Sequence, residues 1–251
     1  MQEFQDFFHS LLDAARDTIR PYYADSSLAV ETKSDDTPVT IADRETERIL
    51  REKINQTYPT HGIIGEEFGT ENPDAEFVWV LDPIDGTKSF VTGVPLFGIL
   101  IALLKDGLPI LGSIDQPILS QRIIGDGQST YFNGRQVHLR KPSSLQQATL
   151  LTTDPLVPAQ LHNAGGWDKL TNTVRLYRTW GDCYGYLLLA AGKADIMVDP
   201  IVEKWDLLSL IPIIRGAGGT ITDWQGNDPV QGNSIVASHP DLHGEILEIL
   251  N

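Results

Sequence analysis

Cysteine is almost absent from this chain. Cys183 is the only one in 251 residues, which excludes an intramolecular disulfide and fits a reducing compartment, so the cytoplasm is the expected location. Basic residues are also scarce: 19 Lys and Arg stand against 34 Asp and Glu, a formal net charge of -15. A nucleic acid or an anionic membrane would be repelled over most of such a surface, and neither is expected as a partner. Some of the acids are expected to hold cations instead. Long apolar runs are missing. Met1 to Tyr23 mixes Glu3, Asp6, Asp13 and Arg16 among its apolar residues, giving neither the order of a signal peptide nor a spanning segment. There is no repeat, low-complexity tract or linker. With 41% apolar residues, the chain can bury a core of its own.

Periodicity supplies the elements. Phe4, Phe7, Phe8, Leu11, Leu12, Ala15 and Ile19 recur at helical spacing before Pro21, and a second helix is expected from about Ile41 to Tyr58. Between them, Leu28 to Val39 contains Lys33-Ser34-Asp35-Asp36-Thr37-Pro38, a hairpin or extended loop able to reach over a site. Short apolar runs at Phe77–Leu81, Phe97–Leu104, Pro109–Asp115, Arg122–Gly125 and Ser129–Phe132 predict a mostly antiparallel meander. The second half alternates. Strands are expected at Thr149–Thr153, Val174–Tyr177, Ala194–Val198 and Gly219–Thr222, with helices at Gly181–Ala191 and Glu203–Arg215. The pattern predicts one domain made of two layered halves, residues 1–142 and 143–251, meeting near Pro142.

The chemistry concentrates in Asp82-Pro83-Ile84-Asp85-Gly86-Thr87. The apolar strand Val78 to Leu81 runs straight into it, so two carboxylates leave a strand end together. With the Ile84 carbonyl between them they offer an all-oxygen ligand set suited to a hard cation. If Gly86 and Thr87 open a helix or nest, their N–H groups would face an anion. Ordinary loop chemistry is the bland alternative for each Asp-Pro or Asp-Gly pair. Three further acids have two readings each. Glu66, in Ile63-Ile64-Gly65-Glu66-Glu67, either joins Asp82 or is a solvated surface acid. Asp206 either joins them or caps a helix, and Asp43 is either an early-helix acid or a group that orients a water.

Taken together these strings resemble the inositol monophosphatase superfamily of metal-dependent, lithium-sensitive phosphatases. Gly65-Glu66-Glu67, the run from Asp82 to Phe90, and Trp205-Asp206 followed by Gly216-Ala217-Gly218-Gly219 occur in order across nearly the whole chain. The resemblance implies an α+β fold, a layered α-β-α-β-α sandwich, in a homodimer. It implies Glu66, Asp82, Asp85, Asp206 and the Ile84 carbonyl as metal ligands, and phosphate held at Asp85, Gly86 and Thr87. Glu66 and Thr87, with Asp43, would position the attacking water. Two Mg2+ ions, with a third when substrate binds, would balance the acids, one shared by Glu66, Asp82 and Ile84 to activate water and one by Asp82, Asp85 and Asp206 for the leaving oxygen.

Within the superfamily, Asp85 to Gly93, Ile114-Asp115-Gln116-Pro117 and Gly181-Asp182-Cys183-Tyr184-Gly185-Tyr186 look like the histidinol-phosphate phosphatases. Asp182 adds a carboxylate where inositol-specific members carry Gly-Thr-Ala or Gly-Ser-Ala. Asp199 stands where they carry a glutamate. Both acids suit the ammonium and imidazole of histidinol phosphate, although Asp182 also reads as a helix N-cap. Arg178 reads as a partner of the phosphate, of Asp182, or of a surface acid. Inositol 1-phosphate and nucleotide 3'-phosphates are the rival substrates, and a non-catalytic binding protein the remote one. His239 and His243, four apart around Pro240, are expected at the surface, and Cys183 as a packed small residue rather than a nucleophile.

Overall fold

The computed structural model describes residues 2–25, 29–32 and 38–251. Helix α1 (Gln2–Ile19) buries Phe8, Leu11, Leu12, Ala15 and Ile19 as one stripe, and a short turn containing Pro21 ends it. Strands β1 (Val30–Thr32) and β2 (Pro38–Thr40) pair antiparallel; the polar segment 33–37 expected between them lies outside the described residues. Thr40 then caps α2 (Ile41–Thr57), its Oγ1 accepting the Ala42 N–H at 3.1 Å.

The first half continues through β3 (Gly62–Gly65), β4 (Gly69–Glu71), β5 (Phe77–Asp85), α3 (Thr87–Val91), β6 (Gly98–Lys105), β7 (Leu108–Gln116), β8 (Gln121–Gly125), β9 (Thr130–Phe132) and β10 (Arg135–Gln136). These eight strands form one sheet in the order β10-β9-β8-β7-β6-β5-β3-β4. Only the β3–β5 pair is parallel. The meander expected from the sequence is present, and the β3–β4 hairpin, too short to announce itself by alternation, extends it at one edge.

The second half contributes β11 (Thr149–Leu151), α4 (Val157–Leu161), α5 (Ala164–Thr173), β12 (Leu176–Arg178), α6 (Asp182–Ala190), β13 (Ile196–Asp199), α7 (Lys204–Leu207), α8 (Leu210–Gly216), β14 (Thr220–Thr222), β15 (Ile235–Ser238) and α9 (Pro240–Leu250). Its five strands lie in the order β12-β11-β13-β15-β14.

Side-chain alternation sets the layers. On β5, Trp79 and Leu81 enter a core with α1 and α2, whereas Val78 and Val80 enter a second core with α6 and α8. Leu151, Met197, Ile235 and Ala237 reach that second core from the other sheet. The opposite face of the second sheet, with Leu150, Ile196, Val198 and Val236, packs against Trp167 and Leu170 of α5 and Leu242 and Ile246 of α9. The molecule is therefore an α-β-α-β-α sandwich. No helix among the described residues is long and apolar enough to cross a membrane.

Two expectations need correction. The single helix expected over Glu203–Arg215 is two, α7 and α8. Pro212 cannot donate to Leu208, so the ladder of helical bonds is interrupted where the break falls. His243 is not a surface residue: it is 6% exposed, its Nε2 lies 2.9 Å from Thr222 Oγ1 and its Nδ1 3.0 Å from Ser238 Oγ. Two hydroxyl partners satisfy both ring nitrogens, which lets the ring pack under α9. His239 caps that helix, its Nδ1 accepting the Asp241 N–H.

Candidate active site

Asp82 and Asp85 are three residues apart on β5, a spacing that puts side chains on opposite faces of a regular strand. The strand is not regular there. Asp82 is paired with Leu100 and Asp85 with Gly98, so three steps on β5 oppose two on β6. This bulge returns both carboxylates to one side. The Asp82 Oδ1 accepts the Ile84 N–H at 3.0 Å, tightening the turn. Gly86 follows at φ +85°, a left-handed conformation that suits glycine, and α3 begins at once. Thr87 Oγ1 donates to the Ile84 carbonyl at 3.0 Å.

Asp206 reaches the same point from α7. Its Oδ2 accepts the Glu203 N–H at 3.0 Å in a capping box, where Glu203 is the cap and Asp206 the third helical residue, so Asp206 is not itself the helix cap. Oxygen atoms of Asp82, Asp85 and Asp206 all lie within 4.8 Å of one another. Burial pushes the Asp82 carboxyl well above the carboxylate range, and Glu66, Asp85 and Asp206 push it further. Asp85 is raised likewise by burial and then by Asp182 and Asp206. Burial lifts Asp206 to about 6. Glu66 and Asp206 both stand close enough to Asp82 to raise its carboxyl, so the buried cluster keeps a proton where no cation is present. A divalent cation relieves that repulsion and replaces the proton, so the donor set fits a hard metal ion held by oxygen.

Glu66 stands where β3 ends. The Gly65–Leu81 pairing of β3 with β5 puts it beside Asp82, and its N–H donates to the Leu81 carbonyl at 3.2 Å. Asp43 is buried, and its Oδ2 accepts from the Thr40 N–H at 2.8 Å and from the Thr40 hydroxyl at 2.7 Å. Burial raises it to about 6, with Glu66 adding to the shift. Asp43 therefore lies behind Glu66 rather than on the cavity wall.

A cavity of about 400 Å³ opens over these groups, and Glu66, Asp82, Ile84, Asp85, Gly86, Thr87, Asp182 and Asp206 all line it. A second, of about 320 Å³, lies deeper, with Asp182, Asp199, Tyr186 and Ile201 in its wall. Asp182 borders both. It occupies the first position of α6 rather than the cap, with no capping bond from Gly181, and its φ of +48° is the left-handed region. Its N–H donates to Thr153 Oγ1 at 2.9 Å. Burial, then Asp199 and Asp206, raise Asp182 to about 7, while Lys88 opposes them. Lys88 is the single basic group among the described residues lining either cavity. Asp199 is fastened by the Thr153 N–H at 2.9 Å and the Tyr186 hydroxyl at 2.8 Å; burial raises it to about 6.

Arg178 is not brought to the site. It is exposed, its Nη1 donates to the Tyr177 carbonyl at 2.7 Å, and it lines neither cavity. Sequence reasoning missed Thr153, which joins Asp182 to Asp199 from an irregular segment without a motif. It also missed Glu47, fully buried under the Glu66 loop, although its spacing four residues after Asp43 and four before Arg51 was a legible signal.

The inositol monophosphatase family model matches residues 1–251. The chain belongs to the inositol monophosphatase family. It is thus a phosphatase of a metal-dependent family, and the acid cluster is a group of carboxylates that could hold a metal ion. The bifunctional phosphatase IMPL2, chloroplastic, of Arabidopsis thaliana is 42% identical over 264 residues, covering 100% of this chain and 75% of that protein. The histidinol-phosphatase of Chlorobaculum parvum is 38% identical over 223 residues, covering 87% of this chain and 85% of that one. Among solved structures, an inositol monophosphatase from Zymomonas mobilis superposes with a TM-score of 0.83 at 39% identity, over 96% of this chain and 94% of its own. Relatives named for histidinol phosphate and for inositol phosphate are therefore about equally similar to this family member.

Proposed function

We propose that this phosphatase hydrolyses L-histidinol phosphate to L-histidinol and phosphate, a step of histidine biosynthesis, with magnesium as its cation and as a cytoplasmic homodimer. The observation that carries the substrate is the pair Asp182 and Asp199 along the deeper cavity. Two carboxylates there suit an organic group bearing an ammonium and an imidazole, because a charge-assisted hydrogen bond contributes roughly 1.5–3 kcal/mol where a neutral hydroxyl contributes about half. Thr153 and Tyr186 hold Asp199 in place before substrate arrives. A cationic amine beside Asp182 would bring its carboxyl back down from about 7.

Glu66, Asp82, the Ile84 carbonyl, Asp85 and Asp206 would hold magnesium, which supplies Lewis-acid polarisation and acidification of a water when bound. Lithium is expected to inhibit by competing for those oxygens. Thr87 donates its hydroxyl proton to Ile84, which leaves its oxygen to accept from a water. Glu66, with Asp43 behind it, takes the role of orienting that water. The backbone of Asp85, Gly86 and Thr87 is assigned to the phosphate.

The rival substrate is inositol 1-phosphate, favoured by the likeness to the Zymomonas mobilis protein. Phosphate release with magnesium from L-histidinol phosphate, inositol 1-phosphate and adenosine 3',5'-bisphosphate, compared as kcat/KM, separates the readings. A clear preference for histidinol phosphate is expected. Preference for either other substrate would overturn the roles given to Asp182 and Asp199 and leave the cation site standing.

A further inference from the structure

Glu47 has no exposed surface, and a fully buried carboxylate persists where donors satisfy it. Among the described residues its donors are two amides of the loop after Glu66 and one arginine of its own helix. Oε2 accepts the Glu67 N–H at 2.7 Å, and Oε1 accepts the Phe68 N–H at 3.1 Å and Arg51 Nε at 2.8 Å. Arg51 also donates through Nη2 to the Gly69 carbonyl. The residue before Glu66 is Gly65, where an added Cβ would lie 2.0 Å from Glu47 Oε1 and 2.8 Å from Arg51 Nη2. Glu47 and Arg51 thus close over a position that only glycine leaves open. On its other side the Glu66 N–H is tied to the Leu81 carbonyl, next to Asp82.

We infer that Glu47 is a positioning residue for the cation site: braced by Arg51, it clamps the amides after Glu66 and so sets how tightly Glu66 holds a cation that Glu47 never touches. The inference rests on the reading of Glu66 as a cation ligand. A loop glutamate that must first be ordered spends part of its binding free energy on that ordering, and a fixed one does not. Supporting groups around metal ligands typically change affinity by about 10- to 100-fold.

The test is Mn2+ binding to the metal-free full chain without substrate, followed by the free-ion electron paramagnetic resonance signal and paired with thermal melting. Glu66→Gln is expected to weaken one class of site. Glu47→Gln is expected to weaken that same class about tenfold, and the double variant to bind no more weakly than Glu66→Gln alone, because both act through one ligand. Arg51→Lys keeps the charge and loses the fork. It is expected to weaken the same class by about two- to fivefold, and it serves if Glu47→Gln does not fold. If Glu47→Gln or Arg51→Lys lowers the melting temperature with Mn2+ affinity unchanged, or its loss adds in full to that of Glu66→Gln, the clamp is overturned and Glu66 remains a ligand. If Glu66→Gln itself leaves affinity unchanged, the ligand assignment fails and the inference fails with it.

Discussion

The Cys183 N–H donates to Asp85 Oδ2, joining the first turn of α6 to the bulged end of β5. The bond ties the end of β5 that carries Asp85 to the helix that begins with Asp182, although these two elements come from opposite halves of the chain. It also explains why Cys183 is buried, with its sulfur 2.7 Å from where a Cβ on Gly98 would lie.

Asp85 is the cluster member that this bond places. Asp85→Asn should abolish phosphate release while the chain stays folded, since the amide keeps an acceptor for Cys183. Without cation the variant should melt higher than the parent, because one buried like charge is gone. Added magnesium should raise the parent's melting temperature by mass action and raise the variant's by less, because the site at Glu66, Asp82 and the Ile84 carbonyl does not use Asp85. Full activity in the variant would remove Asp85 from the ligand set.

Asp182 tests the substrate. Asp182→Asn should lower kcat/KM for histidinol phosphate by roughly 10- to 100-fold, equivalent to about 1.5–3 kcal/mol, and change inositol 1-phosphate hydrolysis far less. Equal losses on both substrates would make Asp182 part of the shared machinery instead.

His243 predicts an acid limb of stability. Burial lowers its folded pKa from 6.5 to about 4, so the unfolded chain binds the extra proton between these values and stability falls as pH drops through that window. Above pH 6.5 the contribution is fully present. A shift of this size corresponds to a loss on the order of 2–3 kcal/mol. Urea unfolding of the parent and of His243→Gln at pH 7 and pH 4 should show this loss in the parent and not in the variant. Equal losses would exclude His243.

Asp115 is fully buried and accepts from Arg16 Nε at 3.0 Å and Nη2 at 2.6 Å, and from Arg122 Nε at 2.6 Å. It fastens α1 to the sheet. Asp115→Asn leaves two guanidiniums partly unpaired and should cost about 3–5 kcal/mol in urea unfolding. A loss below 1 kcal/mol would mean that solvent already screens the trio.

The acid-rich string from Asp82 to Thr87, the apolar periodicity of α1 and α2 and the meander were legible in the amino-acid sequence, because local spacing alone encodes them. That string, taken together with Gly65-Glu66-Glu67, Trp205-Asp206 and Gly216 to Gly219, carried the family resemblance, since two acids, a proline and a glycine at those positions restrict the turn and the chemistry together. What local spacing does not encode was decided by packing. The bulge that turns Asp82 and Asp85 to one side depends on how β6 pairs with β5. The burial of His243 depends on hydroxyls from β14 and β15. The break after Leu207 follows from Pro212, whereas the bond from the Glu203 N–H that holds Asp206 at the start of α7 exists only in the folded chain. Arg178 and Asp182 lie four residues apart in sequence, but only Asp182 lines the cavities, because the chain turns at Gly181 and buries one while leaving the other in water. Sequence determined which groups are present. Long-range pairing and burial determined which of them share a charge environment, and only shared burial makes a set of carboxylates costly enough without a cation to favour holding one.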